Sequence, residues 1–361
     1  MRISSSIIAA LVALMPATAQ TTSKLTASKA NDFGIVYSLP YTVLDITIET
    51  DRSQLTPGEF YNYANRNLNI SNAITKAASN ATVKSVTITP RGIADTDNQW
   101  LMQFKGGQQG VFVVLNEQGV PVAINTDEAP EAESANLPVP KPAEPTPLET
   151  AAATQAVTQE MTLSTSTSRR AQLATERIFE LREQRNDLIS GNAENTPPDG
   201  KAMQLALDNL AAQEAALTAM FAGTDKHWTE VSTITFTPDS AVETSKTVIA
   251  RISPTEGLVD ADDLSGEPVY LSISIVSEGE YPADEKGQTK KFPRGGVAYN
   301  IPGMAEVTVS YQGRTIASQQ VPMAQLGITF GLDPKIFTDK AAPAHLTLDP
   351  TTGAIINLGM Q

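Results

Sequence analysis

A change of hydrophobic period divides this chain and limits what it can fold into. Ala174, Ile178, Leu181, Arg185 and Leu188 step by four and three, and Met203, Leu207, Leu210, Glu214, Leu217 and Phe221 do the same. That spacing puts a seam on one face of an α-helix. Gly191 stands where a C-cap glycine ends the first helix. Thr196-Pro197-Pro198-Asp199 restarts a helix with a capping signal, and Gly223 stops it. Two facing seams joined by a short Gly/Pro loop predict an antiparallel αα-hairpin over 165–223, with Arg177 near Glu214. Such a hairpin serves as a structural arm, as a cover for a sheet, or as a coiled-coil surface for a partner.

On both sides of the hairpin the period is two. In Tyr41–Glu49, Leu44, Ile46 and Ile48 point one way and Asp45, Thr47 and Glu49 the other, as in a half-buried strand. Thr56-Pro57-Gly58-Glu59 reads as a helix start, with Thr56 as cap and Glu59 closing a capping box ahead of a short helix at Phe60–Ala64. Further strands are predicted at 82–89, 100–104, 111–115 and 120–124, the last two joined by a turn at Asn116–Gly119. After the hairpin, strands are predicted at 231–237, 247–252, 269–276, 305–311, 315–320, 326–330, 346–348 and 354–358. Residues 127–150 carry six prolines and six acids against one lysine, the composition of a stiff, solvated spacer. The expected architecture is α+β and mainly β. It has an N-terminal β-rich domain with a short helix (33–126), an acidic Pro-rich linker (127–160), the helical hairpin, and a C-terminal β-rich domain (226–361), each β domain a sandwich or a curled antiparallel sheet. The closing hairpin LTLDPTTGAIINL loosely echoes FVVLNEQGVPVAIN in the first β region, which raises the question of an internal repeat.

The N-terminus has the three parts of a secretory signal peptide over 1–19. Met1-Arg2 is the positive region, Ile7–Met15 the apolar run, and Ala17-Thr18-Ala19 the small-residue cleavage site. The apolar run is about half the ~20 residues needed to cross a bilayer, and no later segment is apolar enough to do so. With no cysteine the chain cannot be a lipoprotein, and it has no disulfides. The expected location is therefore outside the cytoplasm, in the periplasm or at the cell surface. A net charge of −14 repels phosphate backbones, which argues against a nucleic-acid partner.

Several stretches together resemble a known family: YSLPYTVLDITIE, LREQRNDLISGNAENTPPDGKAMQLALDNLAAQEAALTAMFAGT, GLVDADDLSGEPVYL and RGGVAYNIPGMAEV. The resemblance is to an exported family of gut-type Gram-negative anaerobes classed as a domain of unknown function, and it runs from about Phe33 to the C-terminus. It implies an envelope location and a shared architecture. It carries no catalytic residues over to this chain.

Catalytic signatures are missing from the sequence: there is no G-x-S-x-G elbow, H-E-x-x-H, P-loop or Ser-x-x-Lys motif. Two histidines, His227 and His345, are too few for a His-rich metal site. Gly106–Gly110 reads as a hairpin loop, since it does not precede a helix that could hold a phosphate. The densest carboxylates are Asp260, Asp262, Asp263 and Glu267, which read as an acidic turn and, less simply, as a weak Ca²⁺ candidate. Asp95-Thr96-Asp97-Asn98 is a lesser version. Trp100, Trp228, Tyr61 and Tyr63 are read as packing rather than as a sugar platform. Arg294–Gly303 is read as a tight connection between strands. No cofactor is expected beyond that calcium candidate. The leading functional reading is a non-enzymatic envelope module that binds or scaffolds, with the helical hairpin as the docking surface for an envelope protein. The alternative is a carboxylate-dependent hydrolase acting on envelope or dietary glycan.

Overall fold

The computed structural model describes residues 21–25, 34–103, 112–127, 130, 147–194, 197, 200–239, 242–337 and 343–360. The predicted signal peptide, the Gly106–Gly110 loop, most of the Pro-rich stretch and most of Thr196–Asp199 lie outside them. The fold is α+β and mainly β, with an antiparallel helical hairpin, as the two hydrophobic periods predict.

Strands β1 (Thr21–Lys24), β2 (Ile35–Thr56), β3 (Ala78–Gln103) and β6 (Thr224–Phe236) form one antiparallel sheet in the order β1-β3-β2-β6. A second sheet holds β7 (Thr244–Ser253), β8 (Gly257–Val259), β9 (Glu267–Ser277), β10 (Val297–Tyr311) and β11 (Arg314–Leu332), in the order β11-β10-β9-β7-β8. The third, in the order β13-β12-β5-β4, joins β4 (Val113–Leu115) and β5 (Pro121–Ile124) to β12 (Ala344–Leu348) and β13 (Ile355–Met360). Segments 33–126 and 226–361 therefore share two of the three sheets. Long-range pairing of β2 with β6 and of β5 with β12 produces this mixing, and hydrophobic period says nothing about which strands pair. The two echoing hairpins lie side by side in the third sheet as one meander, β4-β5-β12-β13, interrupted in sequence by most of the protein.

Several strands that look separate in sequence are continuous. The stretches 82–89 and, as far as the described residues run, 100–103 belong to β3, and 315–320 and 326–330 belong to β11. Bulges absorb the breaks in alternation: Ser38 pairs with Gln99 and Pro40 with Ala94, so Asp95–Asn98 is an excursion of β3. Tyr311-Gln312-Gly313-Arg314 is a tight hairpin with positive φ at both central residues (48° and 74°), the geometry that suits the twist of the flanking strands.

Three hydrophobic cores line up along β2 and β3. At their centre Leu44, Ile46, Ile48 and Ile88 pack on Leu271, Ile273, Val307 and Val309 of the second sheet, face to face as in a sandwich. Where β2 begins, Tyr37, Leu39 and Met102 lie under Ile124, Leu346 and Leu348 of the third sheet. Beyond the end of β2, Phe60 and Ala64 enter a helical core with Ile178, Leu181, Leu217 and Phe221. That core is made by α1 (Ala64–Leu68), α2 (Pro147–Ala153), α3 (Gln159–Leu163), α4 (Thr167–Ser190) and α5 (Lys201–Ala222). Part of the predicted linker is thus helical, in α2 and the start of α3. Ala151, Ala156 and Met161 are buried in the helical core, so this end of the Pro-rich stretch has enough apolar residues to order.

The predicted helix start at Thr56 is not formed. Thr56 ends β2 opposite Thr224, a single 3₁₀ turn covers Tyr61–Tyr63, and α1 follows. Gly58 explains why the chain turns there. A Cβ at this position would run into the backbone carbonyl of Met220, and the Phe60 N–H donates to that same carbonyl at 2.7 Å. The outward face of β2 also departs from simple alternation, because Asp45 is 2% exposed. Arg91 forks onto it from β3 (2.7 and 3.2 Å), and the Thr235 hydroxyl donates to it from β6 at 2.6 Å. Burial alone pushes this carboxyl up; the bonds from Arg91 and Thr235 outweigh it and hold the group below the usual carboxylate range.

A depressed folded value gives stability that is present above the unfolded pKa and is lost as pH falls through the folded one. Asp45→Asn should therefore cost about 1–3 kcal/mol at neutral pH, since it leaves Arg91 without its counter-charge. It should also flatten the acid limb of the stability curve below about pH 4, the unfolded value. Urea unfolding of wild type and variant from pH 7 to pH 3 reads both.

Candidate functional site

Two surfaces stand out, one at each end of the β2–β3 pair. The first is the helical arm. Its base is fixed by the helical core, by the Asn67 side-chain amide donating to the Thr175 hydroxyl (3.0 Å), and by the Arg170–Glu59 ion pair. The caps are local: the Ser166 hydroxyl accepts from the Arg169 N–H, and Gly191 takes the left-handed conformation after α4. Beyond Leu181 and before Ala216 neither helix has a fully buried residue. Met203, Leu207 and Leu210 of the predicted seam are only half-buried, while Ile189 and Leu205 are 68% and 70% exposed. Polar contacts hold this distal half: Glu214 receives Arg182 at 2.6 Å and Arg185 at 2.8 Å. The expected Arg177–Glu214 pair is not made. Arg177 bonds Glu180 and Gln213 instead, because it sits on the helix face beside the one that meets Glu214.

The second surface is an aromatic groove. After β9, residues 278–296 fold back over the ends of β10 and β11. Their own small hairpin is closed by the Lys290 N–H on the Pro282 carbonyl and the Asp284 N–H on the Gln288 carbonyl. Phe292 anchors the segment. Its ring stacks on Trp100 (5.5 Å between centroids, 8° between planes) and meets Phe330 edge-on at 6.0 Å. A Cβ on Gly331 would stand 2.8 Å from that ring, so glycine is what admits it. Phe330 also receives Tyr281 at 6.4 Å and Tyr299 at 6.3 Å. Beside this cluster lies a hollow of about 590 Å³, open to solvent and lined by Tyr299, Phe330, Lys290, Lys291, Asp284 and Asp333 among others. Tyr281 stands at its side, half-exposed. Burial raises the Tyr299 hydroxyl above its ordinary value, so it stays protonated and can donate. Asp284 accepts the N–H groups of Lys286 and Gln288, and Asp333 that of Lys335. Each acid thus spends one oxygen on its own turn.

Sequence reasoning named one member of this cluster, Trp100, and read it as packing. It packs as read, with its indole N–H donating to Asn98 at 2.9 Å. The other aromatics were missed. The signal that could have found them is Phe292 between Lys-Lys and Pro, inside a stretch too polar for a core.

The remaining sequence candidates fall elsewhere. Asp260, Asp262 and Asp263 lie in the turn between β8 and β9, around a shallow hollow with Glu256. The Asp263 N–H donates to the Asp260 carbonyl, and the Ser265 N–H donates to the Asp263 carboxylate at 2.8 Å. That backbone bond above all, with Arg251 nearby, holds the Asp263 carboxyl below its usual range. Arg251 clamps the turn from beneath through the carbonyls of Ala261 and Gly266. Glu267 is in β9, opposite Ile252. Among the described residues no three His, Cys, Asp or Glu side chains are arranged to hold a metal ion. Trp228 carries Arg52 over its ring at 5.2 Å, and Arg294–Gly303 forms a turn that runs into β10. His227 is exposed beside Asp225 at 3.0 Å, whereas the His345 Nδ1 is buried with no partner.

Fold and surfaces together define a mainly β protein with a projecting helical arm and an aromatic groove. Residues 33–356 match the model of the domain of unknown function DUF4831, and the chain belongs to that family. No curated protein and no solved structure matches the chain. Among the described residues no helix is long and apolar enough to cross a membrane.

Phe292→Ala should free the indole of Trp100 and loosen the 278–296 segment. The expected result is a red-shifted tryptophan emission and a loss of about 1–2 kcal/mol, less than a fully buried aromatic would cost because this ring is partly exposed. Fluorescence-detected urea unfolding measures both.

Proposed function

We propose that this protein is an exported, non-enzymatic envelope module that holds a protein partner on its helical arm. The observation that carries this reading is the arm's division. Its base is packed like a core, and its distal half keeps Ile189 and Leu205 on the surface. A helix pair that only covered a sheet would bury its seam along its whole length. Here Leu188, Met203, Leu207 and Leu210 of the seam are only half-buried and apolar residues also lie outside it, while the Arg182–Glu214–Arg185 bridges pin the two helices together where the buried core ends, which lowers the ordering cost of binding. The signal-peptide pattern supports export.

A glycan hydrolase would draw on the aromatic groove, with Asp284 and Asp333 as its acids. Both are tied into turns through one oxygen, and the hollow is open rather than a deep cleft, which favours binding over turnover.

The test is crosslinking of intact cells that express the full chain, wild type or with Ile189→Asp and Leu205→Asp together. Cutting out the whole arm would also strip the core around Phe60. The tip variant should lose a stoichiometric crosslinked partner while its melting temperature stays within about 2 °C, since both positions are exposed. A partner retained by the variant would refute the arm as the docking surface. Turnover of an envelope glycan that Asp284→Asn abolishes would favour the hydrolase.

A further inference from the structure

The third sheet ends on a strand that carries neither charge nor proline along its edge. β13 is the outermost strand, paired with β12 on one side only, and its outer backbone groups have no strand partner among the described residues. Soluble proteins guard such edges with charges, prolines or inward-pointing polar residues. β13 reads Ile-Ile-Asn-Leu-Gly-Met, and Pro350–Gln361 contains no charged side chain in a chain whose net charge is −14.

The apolar residues of β13 face the same way as the core. Leu358 lies opposite Leu346 and Met360 opposite Ala344, both of which are buried in the core beneath this sheet. The bulge beside Leu348 leaves Ile355 and Ile356 together across from that buried residue. Yet Ile356, Leu358 and Met360 are 57%, 44% and 75% exposed. The core is thus open along β13: the sheet carries one more row of core-facing side chains than the described residues cover.

We propose that β13 pairs with β13 of a second copy, antiparallel about a twofold axis, so that two four-stranded sheets become one of eight. A twofold axis perpendicular to the sheet keeps each side chain on its own face, so the core-facing rows of the two copies meet. One register suits the residues best. With Leu358 opposite its own counterpart, each Ile356 meets a Met360 and all six exposed apolar side chains are paired. Shifting the centre to Asn357 pairs Ile356 with Leu358 and leaves both methionines unmatched. Self-complementarity decides for a second copy over an unrelated strand: about the twofold the strand matches itself with no exposed apolar side chain left over. It also carries no charged side chain to add to the repulsion between two molecules of −14. One strand pair with three side chains per copy is a small interface, below about 1,200 Å², so the affinity belongs in the micromolar range.

Sedimentation velocity on the mature full-length protein, from about 5 to 500 µM, should show a monomer–dimer equilibrium with a Kd on the order of 10 µM. Met360→Lys, at the most exposed of the three positions, should weaken it at least tenfold with an unchanged melting temperature. A wild type that stays monomeric throughout, or a dimer indifferent to Met360→Lys, would overturn the proposal. The absence of native cysteine provides a geometric check. Directly opposed residues of an antiparallel pair have Cα atoms about 4.5–5.5 Å apart, within the span a disulfide bridges. Leu358→Cys should therefore oxidise to a covalent dimer, and Ser318→Cys on β11 should not. Equal crosslinking at the two positions would count as random collision and against the twofold.

Discussion

The antiparallel ladder between β2 and β3 is the interaction on which the rest of the molecule depends. It pairs residues from Ile35 to Leu55 with residues from Met102 to Ala78, interrupted only by two bulges. At ~3.3 Å per residue such a pair reaches roughly 70 Å if straight. Each third of it serves a different core. Tyr37 and Leu39 sit under the third sheet, Leu44 to Ile48 in the sandwich, and the chain beyond Thr56 enters the helices. A strand this long cannot be satisfied by one small core, so the three cores are tied into one body by a shared backbone.

Polar latches lock the sheets onto the first part of this spine, before β6 begins to pair with β2 at Leu44. The Gln325 amide makes a two-way bond with the backbone of Thr42, accepting from its N–H at 3.1 Å and donating to its carbonyl at 2.9 Å. The Thr42 hydroxyl donates to Thr351 and accepts from the Ala324 N–H. The Asn300 amide holds the carbonyls of Pro40 and Thr352. The Tyr37 hydroxyl accepts from the Ala298 N–H at 3.0 Å, and burial drives its pKa far above the ordinary value, so it remains a neutral partner throughout. Buried groups of this kind cost most when one partner is removed, which makes the junctions between sheets specific rather than merely adhesive.

The two candidate surfaces stand at opposite ends of the spine. Trp100, opposite Tyr37 where β2 begins, is the floor on which Phe292 stacks to form the aromatic groove. Gly58, just past the other end, lets the chain pass against Met220 and fixes the base of the arm. A partner on the arm and a ligand in the groove would be held apart at a fixed distance by hydrogen-bonded strands.

Much was legible in the sequence, because local chemistry decides it. The helical seam, the Asn116–Gly119 and Gln312–Gly313 turns and the positions of most strands follow from period and turn residues, which need no knowledge of what lies across the fold. The acidic turn at Asp260–Asp263 was readable as well, since its bonds join neighbours. The tertiary structure alone decided which strands share a sheet, why Asp45 is buried on a face patterned for solvent, which arginines reach Glu214, and that Phe292 comes to rest between Trp100 and Gly331. Each of these joins residues far apart in the chain, by contacts whose energy depends on the partner as much as on the residue itself. A one-dimensional pattern records the residue and leaves its partner unspecified.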